Sequence, residues 1–181
     1  MLFTELGISG AWLIEPEFKA DERGYFARTW CREEFAAHGL TTEFVQLSVS
    51  RNTMARTLRG LHYQVLPKPE VKLVSCPRGA IFDVLIDLRP ESRTYLQWTS
   101  ADLSQENLRA LYIPPHCAHG FVTLSADTLV SYQISEFYSP THARGVRWND
   151  PHFGIRWPVS PLAMSDHDRN RPNFSPETAA E

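Results

Sequence analysis

The sequence predicts an all-β fold, one barrel or sandwich of about eight short strands with a few short helices. Three observations carry that prediction. Short apolar runs recur between residues 43 and 135, cut at regular intervals by Gly and Pro. Within several runs apolar and polar side chains alternate, which is the period of a strand. Helical periodicity is scarce, and its best example is a single segment.

That segment is CREEFAAHGL at 31–40, with Gly39 placed as a stop. DLSQENLRAL at 102–111 has room for a turn of helix. The strands are expected, in order, at EFVQLSVS (43–50), GLHYQV (60–65), VKLVSC (71–76) and AIFDVLIDL (80–88). YLQWTSADL (95–103), ALYIP (110–114), GFVTLS (120–125) and LVSYQIS (129–135) complete the set. The aromatic and Pro-rich RGVRWNDPHFGIRWP at 144–158 is expected to close the barrel by packing. The tail from about 171 to 181 is polar and Pro-rich, and a mobile end is expected there.

Bulk properties narrow the function. A chain of 181 residues suits one domain spanning 1–181. A net charge of -3 argues against a nucleic-acid partner, which needs a basic face. No run approaches the roughly 20 apolar residues of a membrane span. Cys31, Cys76 and Cys117 are odd in number and form no CxxC pair, so free thiols in a reducing, cytoplasmic setting are expected. The N-terminus lacks the basic start and apolar stretch of a signal peptide.

Alternation then sorts the polar residues inside apolar strands. Tyr132 shares a face with Val130 and Ile134, Lys72 with Val74 and Cys76, His119 with Phe121, and His62 with Gln64. A histidine, a lysine and a tyrosine can therefore face one barrel interior, where each is costly unless partnered. Arg59 falls on the opposite face from His62 in a regular strand. Gly60 between them marks a place for a bulge that turns both to one side. MSDHDRNRP at 164–172 offers Asp166 and Asp168, one of which is expected to orient His62.

Other chemistries fit less well. RGLHYQV carries one histidine rather than a paired HxH, and His116 and His119 sit three apart at a turn, so no metal is expected. No GxGxxG, P-loop or GxSxG pattern occurs.

The segments DERGYF, LRGLHYQ, KLVSCPRGAIFDVLIDLR, LYIPPHCAHGF, FYSPTHARGVRWNDPHFGIRWP and SDHDR, spread over residues 21–170, resemble the dTDP-4-dehydrorhamnose 3,5-epimerases. The resemblance implies a cupin jelly-roll barrel, a homodimer that shares strands, a nucleotide-diphosphate sugar substrate and no cofactor. It implies His62 as the base, Asp168 as its carboxylate partner and Tyr132 as the acid on the other face of the sugar. Lys72 and His119 match substrate-contacting groups, Arg23 and Arg59 the diphosphate contacts, and Tyr138 an aromatic stacked on the nucleobase. Phe26, Arg28, Gln46 and Ser48 fall at further substrate-binding positions.

The chain departs from the family pattern at four places. Arg28 stands for a glutamate, Leu47 and Ser48 for an aspartate and an asparagine, Ala143 for a glutamate, and Glu70-Val71 for Gln-Gly. These leave open a CDP- or GDP-sugar, inversion at one carbon only, a ketoisomerase, or a binding protein without catalysis.

Overall fold

The structure, a computed structural model, describes residues 1–176. Four short strands lead: β1 (Leu2–Glu5), β2 (Trp12–Glu15), β3 (Phe18–Asp21) and β4 (Gly24–Ala27). Helix α1 (Arg32–Ala37) follows. Then come β5 (Gln46–Asn52), β6 (Leu58–Gln64), β7 (Lys72–Arg78), β8 (Ala80–Asp87), β9 (Trp98–Ser104), β10 (Ala110–Ile113), β11 (Cys117–Thr123), β12 (Thr128–Ile134) and β13 (Ala143–Gly145). Helix α2 (Asp166–Arg169) is the last of these elements.

Two antiparallel sheets face one another. One runs β1-β2-β10-β7-β12-β5 and the other β13-β6-β11-β8-β9, while β3 and β4 form a separate hairpin. The core between the sheets takes Val74, Leu111 and Val130 from the first and Ile81, Leu85 and Phe121 from the second. This double-sheet jelly roll is the architecture implied by the resemblance and accords with the barrel or sandwich expected from the strand count, and each expected strand is present.

The outer faces are covered as well. Phe82, Val84 and Ile86 of β8 point away from that core and pack under Val146, Phe153, Ile155 and Trp157. So β8 is buried on both faces, which explains why Asp83 alone interrupts its apolar run before the closing Asp87. The 144–158 segment packs as expected, with β13 adding a strand beside β6. On the other sheet, α1 lays Phe35 over Ile14, Leu73 and Tyr112. Gly39, at φ 69, ends α1, with its N–H donating to the Ala36 carbonyl.

One further place meets expectation and another departs from it. Within 102–111 a single turn forms, the Leu108 N–H donating to the Ser104 carbonyl, and no helix grows from it. Asn107 Oδ1 accepts from the Ser104 and Arg109 N–H groups and clamps a tight turn between β9 and β10. Strands β1 to β4 were not anticipated; each is four residues long, too short for alternation to register. Of the tail, Phe174 packs against the rings of His152 and Phe153, tilted on the first and edge-on to the second, and its N–H donates to Asp150. Residues 177–181 lie outside the described residues.

Candidate active site

Between the sheets, open at one end, lies a cavity of about 660 Å³. Its shape depends on a crossing of β6 and β11. Gly60 sits at φ 132, and a Cβ there would stand 2.4 Å from the Gly120 Cα, so only glycine fits. Across this crossing His62 pairs with His119 but Arg59 pairs with Phe121, leaving one extra residue on β6. The bulge turns Arg59 and His62 into the same cavity.

The base-type histidine is held from a distant part of the chain. Leu58 N–H donates to the Ala163 carbonyl, and Thr57 bridges Ala163, which brings the 163–169 segment alongside β6. Ser165 caps α2 by accepting from the Asp168 N–H. Asp168 Oδ1 then lies 2.6 Å from His62 Nε2. Asp166 does not take that place. With Nε2 committed, Nδ1 is the nitrogen left for a ligand, on a side chain 43% exposed to the cavity.

Electrostatics shape this pair. Burial in the wall draws the His62 imidazole below its ordinary value; Asp168 opposes this, while Arg171 and Lys72 add to it. Burial alone would raise the Asp168 carboxyl, but the His62 hydrogen bond and charge, then Ser165 and the Gly60 N–H, hold it low. A neutral imidazole beside an ionised carboxylate is the state that accepts a proton.

Tyr132 stands on the facing sheet and lines the same cavity. Its hydroxyl lies 3.2 Å from Ser50 Oγ. Burial pushes the phenol up to about 12, so it stays a proton donor through the neutral range. Lys72 is almost enclosed, donating to the His62 carbonyl at 3.2 Å and pairing with Glu70 at 2.7 Å. His119 forms a second histidine–aspartate pair, its Nε2 2.6 Å from Asp83 Oδ1. Arg59 is steadied by Asn52 Oδ1 at 2.8 Å. Gln46, Ser48 and Tyr138 line the mouth, where Gln46 Oε1 accepts the Tyr138 N–H.

The cavity thus gathers His62, Asp168, Tyr132, Lys72, His119, Arg59, Gln46, Ser48 and Tyr138. It does not gather the rest. Arg23 and Phe26 lie on the β3–β4 hairpin and Arg28 just beyond it, all strongly exposed. Arg23 pairs with Asp21 and Arg28 with Glu34. Among the departures from the family pattern, Ser48, Glu70 and Ala143 line the cavity, while Leu47 is 75% exposed.

Sequence reasoning passed over two features of the cavity wall, Arg171 and the pairing of Glu70, and over Asp83, which is buried behind His119. Asp83 had a signal, an acid inside the run AIFDVLIDL. Glu70 had one too, two residues before Lys72 on the same face of an extended chain. Arg171 had none. Among the described residues, no cluster of three or more His, Cys, Asp or Glu side chains is arranged to hold a metal ion.

A family model described as dTDP-4-dehydrorhamnose 3,5-epimerase matches residues 5–176. A protein of that name from Methanothermobacter thermautotrophicus is 46% identical over 171 residues, covering 93% of this chain and 91% of its own. Another from Sinorhizobium fredii is 42% identical over 175 residues, covering 96% and 90%. The crystal structure of dTDP-4-dehydrorhamnose 3,5-epimerase from Bacillus anthracis, with TDP and PPi bound, superposes with a TM-score of 0.92 at 42% identity, covering 96% of this chain and 99% of that one.

Proposed function

The chain belongs to the dTDP-4-dehydrorhamnose 3,5-epimerase family, a family of isomerases, and from that premise we propose that it inverts C3 and C5 of dTDP-4-keto-6-deoxyglucose. The observation that carries the proposal is the placement of His62 and Tyr132 on facing sheets of one cavity. The C4 ketone acidifies the C–H bonds on either side of it, so the reaction calls for no cofactor. Inversion needs a base on one face of the ring and a donor on the other.

In this reading His62 Nδ1 takes the proton from C3 or C5, and Asp168 steadies the imidazolium that results. Negative charge gathers on the former carbonyl oxygen, where the enclosed Lys72 ammonium and His119 stabilise it. Tyr132 returns a proton to the opposite face. Arg59 grips the diphosphate through its planar fork. Tyr138 stacks on the base, with Gln46 and Ser48 at its edge.

We further propose a homodimer of one-domain chains. Arg23, Phe26 and Arg28 stand clear of this chain's own cavity on an exposed hairpin, beside exposed Phe18 and Tyr25. If those residues meet substrate, they meet it in a second copy. Sedimentation would read a dimer, and a monomer would remove Arg23, Phe26 and Arg28 from the site. A cytoplasmic setting accords with the three free cysteines.

The test is solvent exchange. In D2O, label at both C3 and C5 is the expected result. Label at one carbon would make the protein a mono-epimerase, and none at either carbon a binder. A thermal-shift screen of dTDP, UDP, CDP and GDP reads the base directly, since a ligand of the folded state raises its stability with concentration.

A further inference from the structure

Arg171 lies past α2 and belongs to the cavity wall, yet no part of the proposed reaction uses it. Its side chain is only 12% exposed. Its Nε is buried without a hydrogen-bond partner and lies 3.9 Å from Asp168 Oδ1. That is the same oxygen that holds His62 Nε2 at 2.6 Å. Nη2 reaches His167 Nδ1 at 3.3 Å.

The seat for this guanidinium is built into β13. Gly145 pairs with His62 across the β13–β6 ladder. A Cβ on Gly145 would stand 2.3 Å from Arg171 Cζ, so the guanidinium occupies the space that a side chain would fill. The Arg171 backbone is tied in place as well, its carbonyl accepting from Arg147 Nη1. A cation is therefore lodged beside the base by a glycine opposite that base.

We infer that Arg171 is a positioning residue for His62: its guanidinium shares the Asp168 carboxylate with the imidazole and sets the charge His62 carries at rest. The inference rests on the reading of His62 as the base. A carboxylate alone would draw the imidazole toward its protonated form, in which it accepts nothing. A second cation on the same oxygen weakens that pull and disfavours a positive ring nearby.

The other groups facing His62 do not duplicate this. Lys72 approaches the His62 carbonyl from β7 but is matched by Glu70. His119 on β11 is matched by Asp83. Arg144 on β13 donates to the Thr141 and Ala143 carbonyls. His167 meets Arg171 itself. On β6, Arg59 is turned to Asn52. Arg171 also lowers the His62 imidazole in the same sense as Lys72 does.

The experiment follows the His62 ring directly, without substrate. Protein labelled with nitrogen-15 histidine is titrated by NMR, the His62 signal being assigned by its loss in His62→Ala. Arg171→Met removes the cation, Arg171→Lys keeps a charge there, and Gly145→Ala expels the guanidinium without deleting it. The midpoint is expected to rise in Arg171→Met and in Gly145→Ala, and to stay near the wild type in Arg171→Lys. An unchanged or lowered midpoint in Arg171→Met overturns the inference, and Gly145→Ala decides if Arg171→Met does not fold. The acid limb of substrate exchange should move the same way, with a loss of several fold at about pH 6 that fades by about pH 8. A purely structural role would lower the rate equally at both. If the wild type exchanges no substrate, the proposed reaction fails while the ring titration still judges Arg171.

Discussion

Two histidines on neighbouring strands line one cavity, each 2.6 Å from an aspartate, and their surroundings suit them to different work. His62 opens to the cavity, with its side chain 43% exposed; His119 is sealed at 5%. Asp168 is held low by His62, Ser165 and the Gly60 N–H, against the opposing effect of burial. Asp83 is pushed up by burial, against the pull of His119, the Val84 N–H and Lys72, and its Oδ2 has no partner. A short contact thus does not define a base. Access for substrate and a stably ionised carboxylate do.

The sharpest way to break this contrast is to remove each histidine. His62→Ala should cut C–H exchange about a hundred- to ten-thousand-fold at both carbons and leave dTDP binding near normal. His119→Ala should retain exchange above that floor. Equal loss in the two variants would make the pairs equivalent.

Next in size is stability. Asp83→Ala strands a sealed imidazole and should cost about 3 to 5 kcal/mol by urea denaturation. Asp168→Ala should cost less, because His62 can turn to solvent in the open cavity. The reverse order would mean that Asp168 is the structural partner.

Tyr132→Phe tests the facing wall. Net inversion should fall about tenfold or more, while exchange changes far less, because proton loss needs only the base. A matched fall in both would give Tyr132 some other part.

The smallest effect is in pH. Exchange needs neutral His62, whose ring binds its proton less readily than free histidine, so the acid limb should lie below about pH 6.5. Stability follows the same sign. The contribution of a neutral His62 is complete above about pH 6.5 and is lost as pH falls through the lower folded value. Tyr132, at about 12, should add no basic limb below about pH 10. An acid limb above the free-histidine value would point to a base other than His62.

Legibility varied along the chain for physical reasons. Strands β5 to β12 announced themselves as short apolar or alternating runs cut by Gly and Pro. β8 did so by its length of apolar residues. The β3–β4 hairpin was silent because it is exposed throughout, apart from half-buried Ala27, and so buries no face that a pattern could mark. That silence matters, since Arg23 and Phe26 sit there and resemblance alone marks them as substrate-binding positions. Arg171 was invisible because a polar, Pro-rich tail gives no sign of what it packs against.

The linear chain alone determined which side chains face inward. The period of two fixed the sides of Lys72, His119 and Tyr132, and Gly60 signalled the break that puts Arg59 beside His62. Local pattern narrowed the partner of His62, 106 residues away, only to Asp166 or Asp168, resemblance pointed to Asp168, and only the tertiary structure decided Asp83 for His119 and Arg171 over Gly145. The facing of a side chain is a local property of backbone geometry. Its neighbour is set by strand register and by how distant segments close over the barrel, and no local pattern encodes that closure.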